Sequence, residues 1–152
     1  MEPSAKGGVS LVDAAIDTAA LLASVADADA GATVLFLGTT RRRTGAAVTE
    51  RLEYEAHPTM AAGLLERLRE RACEWFSLSG CGIVHRLGVV AVGEASVAVA
   101  TASAHRREAF AAAEWVMEEI KRNVPIWKCD ESAEGGRRWV HPADAAVPGG
   151  RP

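Results

Sequence analysis

Cysteine and aromatic residues are scarce in this chain of 152 residues, and long uncharged hydrophobic runs are absent. The three cysteines, Cys73, Cys81 and Cys129, form no C-x-x-C pair, and no His or Cys series has the spacing of zinc ligands. We therefore expect no metal centre and no cofactor, and the few thiols favour a reducing, cytoplasmic setting. No segment approaches the roughly 18 apolar residues of a membrane span, and Asp13 and Asp17 interrupt any N-terminal signal sequence.

An excess of charge of one sign is also missing. The chain has 17 Lys and Arg against 20 Asp and Glu, a net charge of −3. This balance argues against nucleic acid or an anionic membrane as a partner, so any anion must be bound locally. With 49% apolar residues, the length suits one well-cored domain. We place it at residues 9–141, between a flexible N-terminus at 1–8 and a flexible C-terminal tail at 142–152.

Two segments in the first half of the chain have the pattern of strands. The run GATVLFLGTT is apolar, is closed by Gly38 and predicts a buried strand. In VTERLEYEAH, apolar and polar residues alternate, with Leu52 and Tyr54 on the inward face and Thr49 on the outward face. Glu50 is a polar exception at an inward position. The alternation predicts a half-exposed antiparallel strand.

Helical patterns separate these strands from later ones. A short helix is predicted after Asp17, an amphipathic helix of about five turns after Pro58, and a second long helix from about Ala104 to Arg122, capped by Ser103. The runs CGIVHRLGVVAV, ASVAVATAS, IWKCDES and RRWVH are typical of strands. Hairpin-joined strands with two main helices predict an α+β fold with an antiparallel or mixed sheet.

The second long helix ends in a lysine that continues its apolar stripe. Phe110, Met117 and Lys121 lie at helical spacing, so Lys121 points toward the edge of the core. Its ammonium either extends to solvent and satisfies the helix C-terminus, or faces a pocket. After the turn forced by Pro125, Lys128 can return to the same place.

Other basic residues lie at the ends of predicted elements. His105 and Arg106 occupy a first helical turn, where free backbone N–H groups favour an anion; the two side chains either bind one or are simply exposed. The arginines from Arg41 to Arg43 follow a strand and form either a solvated loop or one with a single inward side chain. We assign His85, inside a strand run, to a structural role.

These donors suit a small phosphorylated or carboxylated ligand. The candidates are Arg41, His105, Arg106, Lys121 and Lys128. No G-x-S-x-G elbow or Cys-His motif supplies a nucleophile beside them. The chemistry predicted from the residues alone is therefore anion positioning with proton transfer by lysine.

Six short segments occur in the order and spacing of one known family. They are FLGTTR at 36–41, LEYEAH at 52–57, HRLG at 85–88, VGE at 92–94, SAHR at 103–106 and K…VPIWK at 121–128. From about Gly31 to Trp139, the chain thus resembles the large, catalytic subunit of molybdopterin synthase, the MoaE family. SAHR and K-x-x-x-P-x-W-K are the specific elements, whereas the strand segments alone would be weak.

The resemblance implies a sulfurtransferase of molybdenum cofactor biosynthesis. The family converts cyclic pyranopterin monophosphate to molybdopterin, with sulfur from the thiocarboxylated C-terminal Gly-Gly of a small ubiquitin-like subunit. It forms a homodimer of large subunits at the core of a heterotetramer. The implied fold is α+β of an α/β-hammerhead-like type, and the domain at 9–141 is then the catalytic one.

The resemblance also implies a substrate pocket. Its residues would be Thr39, Thr40, Arg41, His105, Arg106, Lys121, Lys128, Cys129 and Asp130. Arg41 with the His105-Arg106 pair is expected to hold the phosphate and the pterin. Lys121 is expected at the reacting centre, as proton donor or as the cation that holds the thiocarboxylate. Lys128 would stabilise charge as the cyclic phosphate opens.

The chain departs from the family pattern at Thr40, His57 and Cys129 without losing a pocket residue. Two rival interpretations remain. One is a non-catalytic anion-binding or scaffold module of the same fold, which would form no complex with a Gly-Gly-ended partner. The other is a nucleic-acid binder using the arginine loop, whose binding would weaken steeply with salt.

Overall fold

Residues 4–140 are described by the computed structural model of the chain, and they form three helices and nine strands. The helices are α1 (Thr18–Val25), α2 (Pro58–Trp75) and α3 (Arg106–Asn123). The strands are β1 (Val9–Val12), β2 (Ala32–Thr39), β3 (Arg43–Thr44), β4 (Ala47–Ala56), β5 (Gly80–Arg86), β6 (Gly88–Ala91), β7 (Ala95–Ser103), β8 (Ile126–Ser132) and β9 (Arg137–Val140). The predicted tail at 142–152 lies outside the described residues.

The first sheet contains four strands in the order β1-β5-β7-β2. Strands β5 and β2 both run antiparallel to β7, whereas β1 runs parallel to β5, so the sheet is mixed. The sequence pattern does not predict β1, because four residues are too few to show a period. Pairing with β5 forms this strand, and a bridge from Lys6 to Gly80 extends the same edge.

The second sheet is built around β4. Strands β6 and β8 pair with opposite edges of β4, β3 pairs with its first residues, and β9 lies outside β8. All of these pairings are antiparallel. Strands β8 and β9 are the predicted final pair. Two sheets with two long helices confirm the predicted α+β class.

Helices cover both faces of the first sheet. The apolar stripes of α2 and α3 pack on the face that carries Ile83 and Val99. On the opposite face, α1 lies against the alanines of β7, with Val25 at the contact. The approach is close: a Cβ atom on Gly80 would lie 2.9 Å from the carbonyl oxygen of Val25, so only glycine fits there. Among residues 4–140, no helix combines the length and the hydropathy that a membrane crossing requires.

The helix starts test the predicted caps. Asp17 is the N-cap of α1, and its side chain accepts a backbone hydrogen bond at 2.9 Å; Pro58 is the first residue of α2. The prediction that Ser103 caps α3 is wrong. Helix α3 begins after His105, which makes no side-chain cap, because β7 continues through Ser103 and delays the helix. The hydroxyl of Ser103 instead donates to the carbonyl oxygen of His105.

Two predicted burial patterns are wrong. Strand β2 forms as predicted, but Phe36 and Leu37 are 39% and 40% exposed because, within residues 4–140, β2 is an edge strand that pairs with β7 alone. Phe110 is 61% exposed rather than inward. The buried arc of α3 runs through Ala109 and Ala113, and Phe110 lies beside this arc.

Strand β4 has a register irregularity between Thr49 and Arg51. An extra residue in one strand shifts the in-and-out alternation on one side of the bulge. Thr49 is therefore buried and Glu50 exposed, the reverse of the predicted orientations, while Leu52 and Tyr54 are inward as predicted. The bulge turns the Thr49 hydroxyl toward the interior of the molecule.

Candidate functional site

A cleft of about 420 Å³ lies between the two sheets and the end of α3. Its polar lining comes from seven separate segments: Thr39, Arg41, Thr44, Thr49, Tyr54, His85, Ser96, Lys121, Lys128 and Asp130. Apolar side chains, among them Val97 and Met117, complete the walls. Within residues 4–140, no three His, Cys, Asp or Glu side chains group closely enough to hold a metal ion. The charged lining is dominated by cations.

The cations converge from three elements. Arg41 follows β2, Lys121 lies in the last turn of α3, and Lys128 lies on β8. Arg41 and Lys121 are exposed, whereas Lys128 is half-buried. Burial lowers the pKa of Lys128, and the nearby positive charges of Lys121 and Arg41 add to this effect against the opposing charge of Asp130. A lysine with a lowered pKa gives up its proton more readily near neutral pH.

Strand β8 brings two of the charged side chains into the cleft. In the pairing of β4 with β8, Tyr54 lies opposite Lys128 and Leu52 lies opposite Asp130. Residues two apart on a strand share a face, so Lys128 and Asp130 both line the cleft. Cys129 faces the other way and is fully buried.

Asp130 is the cleft's anionic side chain and has a fixed partner. The Thr49 hydroxyl donates to its carboxylate at 3.2 Å. This contact exists because the bulge in β4 turns Thr49 inward. The carboxylate therefore has a defined position, from which it offsets part of the positive charge around Lys128.

Four of the residues predicted for the pocket do not line this cleft. They are Thr40, His105, Arg106 and Cys129. Thr40 is buried, and its backbone N–H donates to the carbonyl oxygen of Glu94 at 3.0 Å, which anchors the chain between Thr39 and Arg41. His105 and Arg106 are exposed at the start of α3. The other five predicted residues, Thr39, Arg41, Lys121, Lys128 and Asp130, are brought together.

His85 is a cleft residue for which the sequence suggested only a structural role. Its side chain is 5% exposed, and its ring packs edge-on against Tyr54 with centroids 5.1 Å apart. Burial lowers the pKa of His85 to about 4, although a hydrogen bond to the backbone of Arg86 opposes the shift. The imidazole is therefore neutral at physiological pH.

The lowered pKa of His85 predicts acid sensitivity. As pH falls from about 6.5 toward 4, the unfolded chain takes up a proton on this residue before the folded chain does, so the free energy of unfolding decreases. The shift in the pKa of His85 lowers the free energy of unfolding by about 3 kcal/mol over that window. Urea unfolding across the window should give a shallower pH dependence for His85→Gln than for the wild-type chain. His105→Gln, at an exposed position, should keep the wild-type slope, and equal slopes in all three proteins would contradict the prediction.

Comparisons with known proteins identify the family of the chain. The family model described as MoaE protein matches residues 11–123. The chain is 44% identical over 118 residues to a molybdopterin synthase catalytic subunit of Emericella nidulans, covering 78% of this chain and 60% of that one. It is 39% identical to the Bacillus subtilis protein of the same name, covering 90% and 88% of the two chains.

A solved structure is similar as well. The crystal structure of molybdopterin synthase from Staphylococcus aureus superposes with a TM-score of 0.81 at 34% identity, covering 86% of this chain and 94% of that chain. The chain spans about 60% of the length of the fungal relatives that it matches. Because the family model covers well over half of the residues, the relationship does not depend on a local motif. The chain belongs to the MoaE protein family.

Proposed function

We propose that this chain is the catalytic subunit of a molybdopterin synthase, a cytoplasmic sulfurtransferase of molybdenum cofactor biosynthesis. It would convert cyclic pyranopterin monophosphate to molybdopterin, with sulfur from the thiocarboxylated C-terminus of a small ubiquitin-like subunit. The observation that carries this proposal is the convergence of Arg41, Lys121 and Lys128 on one cleft from three elements. The relatives named as molybdopterin synthase catalytic subunits support it.

The environments of the three cations suggest different tasks. Both the cyclic phosphate and the thiocarboxylate are anions, so each needs positive charge nearby. Arg41 presents the planar guanidinium that suits a phosphate. Lys121 is exposed and can meet an incoming thiocarboxylate, whereas Lys128 is half-buried and has the lowered pKa that suits proton transfer as the cyclic phosphate opens. The environments thus favour Lys128, rather than Lys121, as the proton donor.

A second copy of the chain would complete the cleft. His105 and Arg106 belong to the specific SAHR segment, yet in one chain they lie outside the cleft. Phe36, Leu37 and Phe110 expose apolar surface on β2 and at the start of α3. Burying these side chains in a symmetric dimer would stabilise the association. We propose that the dimer places His105 and Arg106 of one chain at the cleft of the other.

The small subunit is the remaining partner in this proposal. The cleft is open to solvent, so a C-terminal Gly-Gly segment can reach Lys121 at its rim. Glycine has no side chain, which lets a tail enter a narrow space with little steric resistance. Two large and two small subunits would then form the heterotetramer.

A reconstituted reaction tests the activity. Purified chain, thiocarboxylated small ubiquitin-like protein and cyclic pyranopterin monophosphate are expected to produce the dithiolene product, measured by chromatography of its oxidised fluorescent derivative. The small protein with a carboxylate in place of the thiocarboxylate is the control and should give none. Complex formation without product would favour the scaffold interpretation. Binding to nucleic acid that weakens with salt, together with neither product nor complex formation, would favour the interpretation as a nucleic-acid binder.

A further inference from the structure

The orientation of the His85 ring is fixed by its backbone contact. The ring nitrogen Nδ1 lies 2.9 Å from the carbonyl oxygen of Arg86. A carbonyl oxygen can only accept a hydrogen bond, so Nδ1 must carry the proton and donate it. In a neutral imidazole the other nitrogen, Nε2, then has a free lone pair and acts as an acceptor.

The second nitrogen is available to a ligand. Among residues 4–140, Nε2 has no hydrogen-bond partner. Unlike the unpartnered side-chain atoms that are fully buried, such as Oγ1 of Thr40, it is accessible to solvent. His85 is part of the cleft lining and its Nδ1 is held against the backbone of Arg86, so the ring edge that carries Nε2 is the one left for the site. The edge-on contact with Tyr54, whose hydroxyl interacts with Ser96, restricts rotation of the imidazole. A fixed acceptor directed into a ligand cleft has the properties of a recognition group.

Most of the other charged side chains in the cleft are hydrogen-bond donors, so a further acceptor is useful to a ligand. Arg41, Lys121 and Lys128 can only donate hydrogen bonds. The carboxylate of Asp130 accepts from Thr49, keeps free lone pairs and offsets the charge of Lys128, whereas His85 offers an acceptor from β5 of the other sheet. A ligand that carries an anionic group at one end and ring N–H or O–H groups at the other needs an acceptor for the second end. A buried donor without a partner would weaken binding.

We propose that His85 binds the substrate directly, with Nε2 accepting a hydrogen bond from an N–H or O–H group on the ring portion of the ligand. This role rests on the proposed function, since the ligand is the cyclic pyranopterin. His85 then determines how the ring is oriented, while the three cations hold the charged end. A substrate lacking the donor would bind less well at this site.

Two amide variants separate this role from a purely structural one. In His85→Gln, the longer side chain can place its amide oxygen where Nε2 was and so keep an acceptor toward the cleft. In His85→Asn, the shorter side chain can keep the donor to the Arg86 carbonyl oxygen but cannot reach the ligand. By calorimetric titration with cyclic pyranopterin monophosphate, we expect His85→Gln to bind within about threefold of wild type and His85→Asn about tenfold or more weakly.

The outcomes are distinct. A purely structural His85 would give the reverse order, with the asparagine variant closer to wild type, and equal affinities of the two variants would also overturn the proposal. If either variant fails to fold, as judged by urea unfolding, the wild-type chain with ¹⁵N-labelled histidine replaces it. The Nε2 resonance of His85 is expected to move upfield when the pterin is added, and an unmoved resonance with bound pterin would overturn the role of His85 alone. No pterin binding by the wild-type chain would overturn the proposed function with it.

Discussion

Lys121→Ala should lower the rate of dithiolene formation by roughly 10²- to 10³-fold, the scale seen when one charge-stabilising group is removed from an active site. Lys121 lines the cleft and adds its positive charge to the environment of Lys128. Removing it takes away one of the three cations that this chain itself supplies to the thiocarboxylate and the phosphate. It also removes a repulsion that lowers the pKa of Lys128, so the remaining lysine becomes a weaker proton donor.

The next residue along the helix supplies a matched control. Arg122 carries the same charge in the same turn of α3, but its side chain is exposed and pairs with Glu119 at 3.7 Å. Arg122→Ala should change the rate by no more than about twofold, because exposed ion pairs contribute little. Single-turnover assays with saturating thiocarboxylated partner would measure both variants. A Lys121→Ala enzyme as active as Arg122→Ala would remove Lys121 from the mechanism.

Mixed dimers should regain activity that neither parent has. If each cleft uses Lys121 from one chain and Arg106 from the other, then Lys121→Ala and Arg106→Ala homodimers are both defective at every site. In a mixed dimer, one cleft carries both substitutions and the other carries neither. Random mixing makes about half of the dimers mixed, so the mixture should recover roughly a quarter of the wild-type rate.

The same experiment tests the alternative arrangement. If Lys121 and Arg106 act within one chain, every cleft of a mixed dimer carries one substitution, and mixing recovers nothing. Exchange of subunits must be verified, for example with two affinity tags purified in sequence. A rate of roughly half the wild-type value in the tandem-purified mixed species, which has one intact cleft of two, would show that the active cleft is shared between two chains.

The sequence predicts the part of the basic site that local helix and turn geometry determines. Lys121 ends an apolar helical stripe and Pro125 forces a turn, so two lysines could be expected to meet, and the structure places both at the cleft. The resemblance to the MoaE family added the substrate, which no periodicity could supply. Of the three arginines in the loop, Arg41 lines the cleft while its side chain remains exposed, and Arg42 and Arg43 do not line it.

The other features of the fold and the site depend on contacts between segments that are distant in the sequence. Thr49 has a polar position in the alternating pattern, and only the bulge that pairing with β8 creates turns it toward Asp130. His85 becomes a cleft residue because Tyr54, from the other sheet, packs against it. Strand β2 is more exposed than its hydrophobic run predicts, because such a run does not reveal whether a strand is central or at an edge. Each of these outcomes requires knowing which strands are neighbours.

The alternation along β8 has a consequence for how this chain can change during evolution. Lys128 and Asp130 face the cleft, and the intervening Cys129 faces the core. A shift of one residue in the pairing of β8 with β4 would reverse the two faces, burying a charge and presenting a thiol to the ligand. Single substitutions at the exposed Trp127 or Asn123 leave this order intact. The register of β8 against β4, and not the identity of its exposed residues, therefore decides which side chains of this segment reach the ligand.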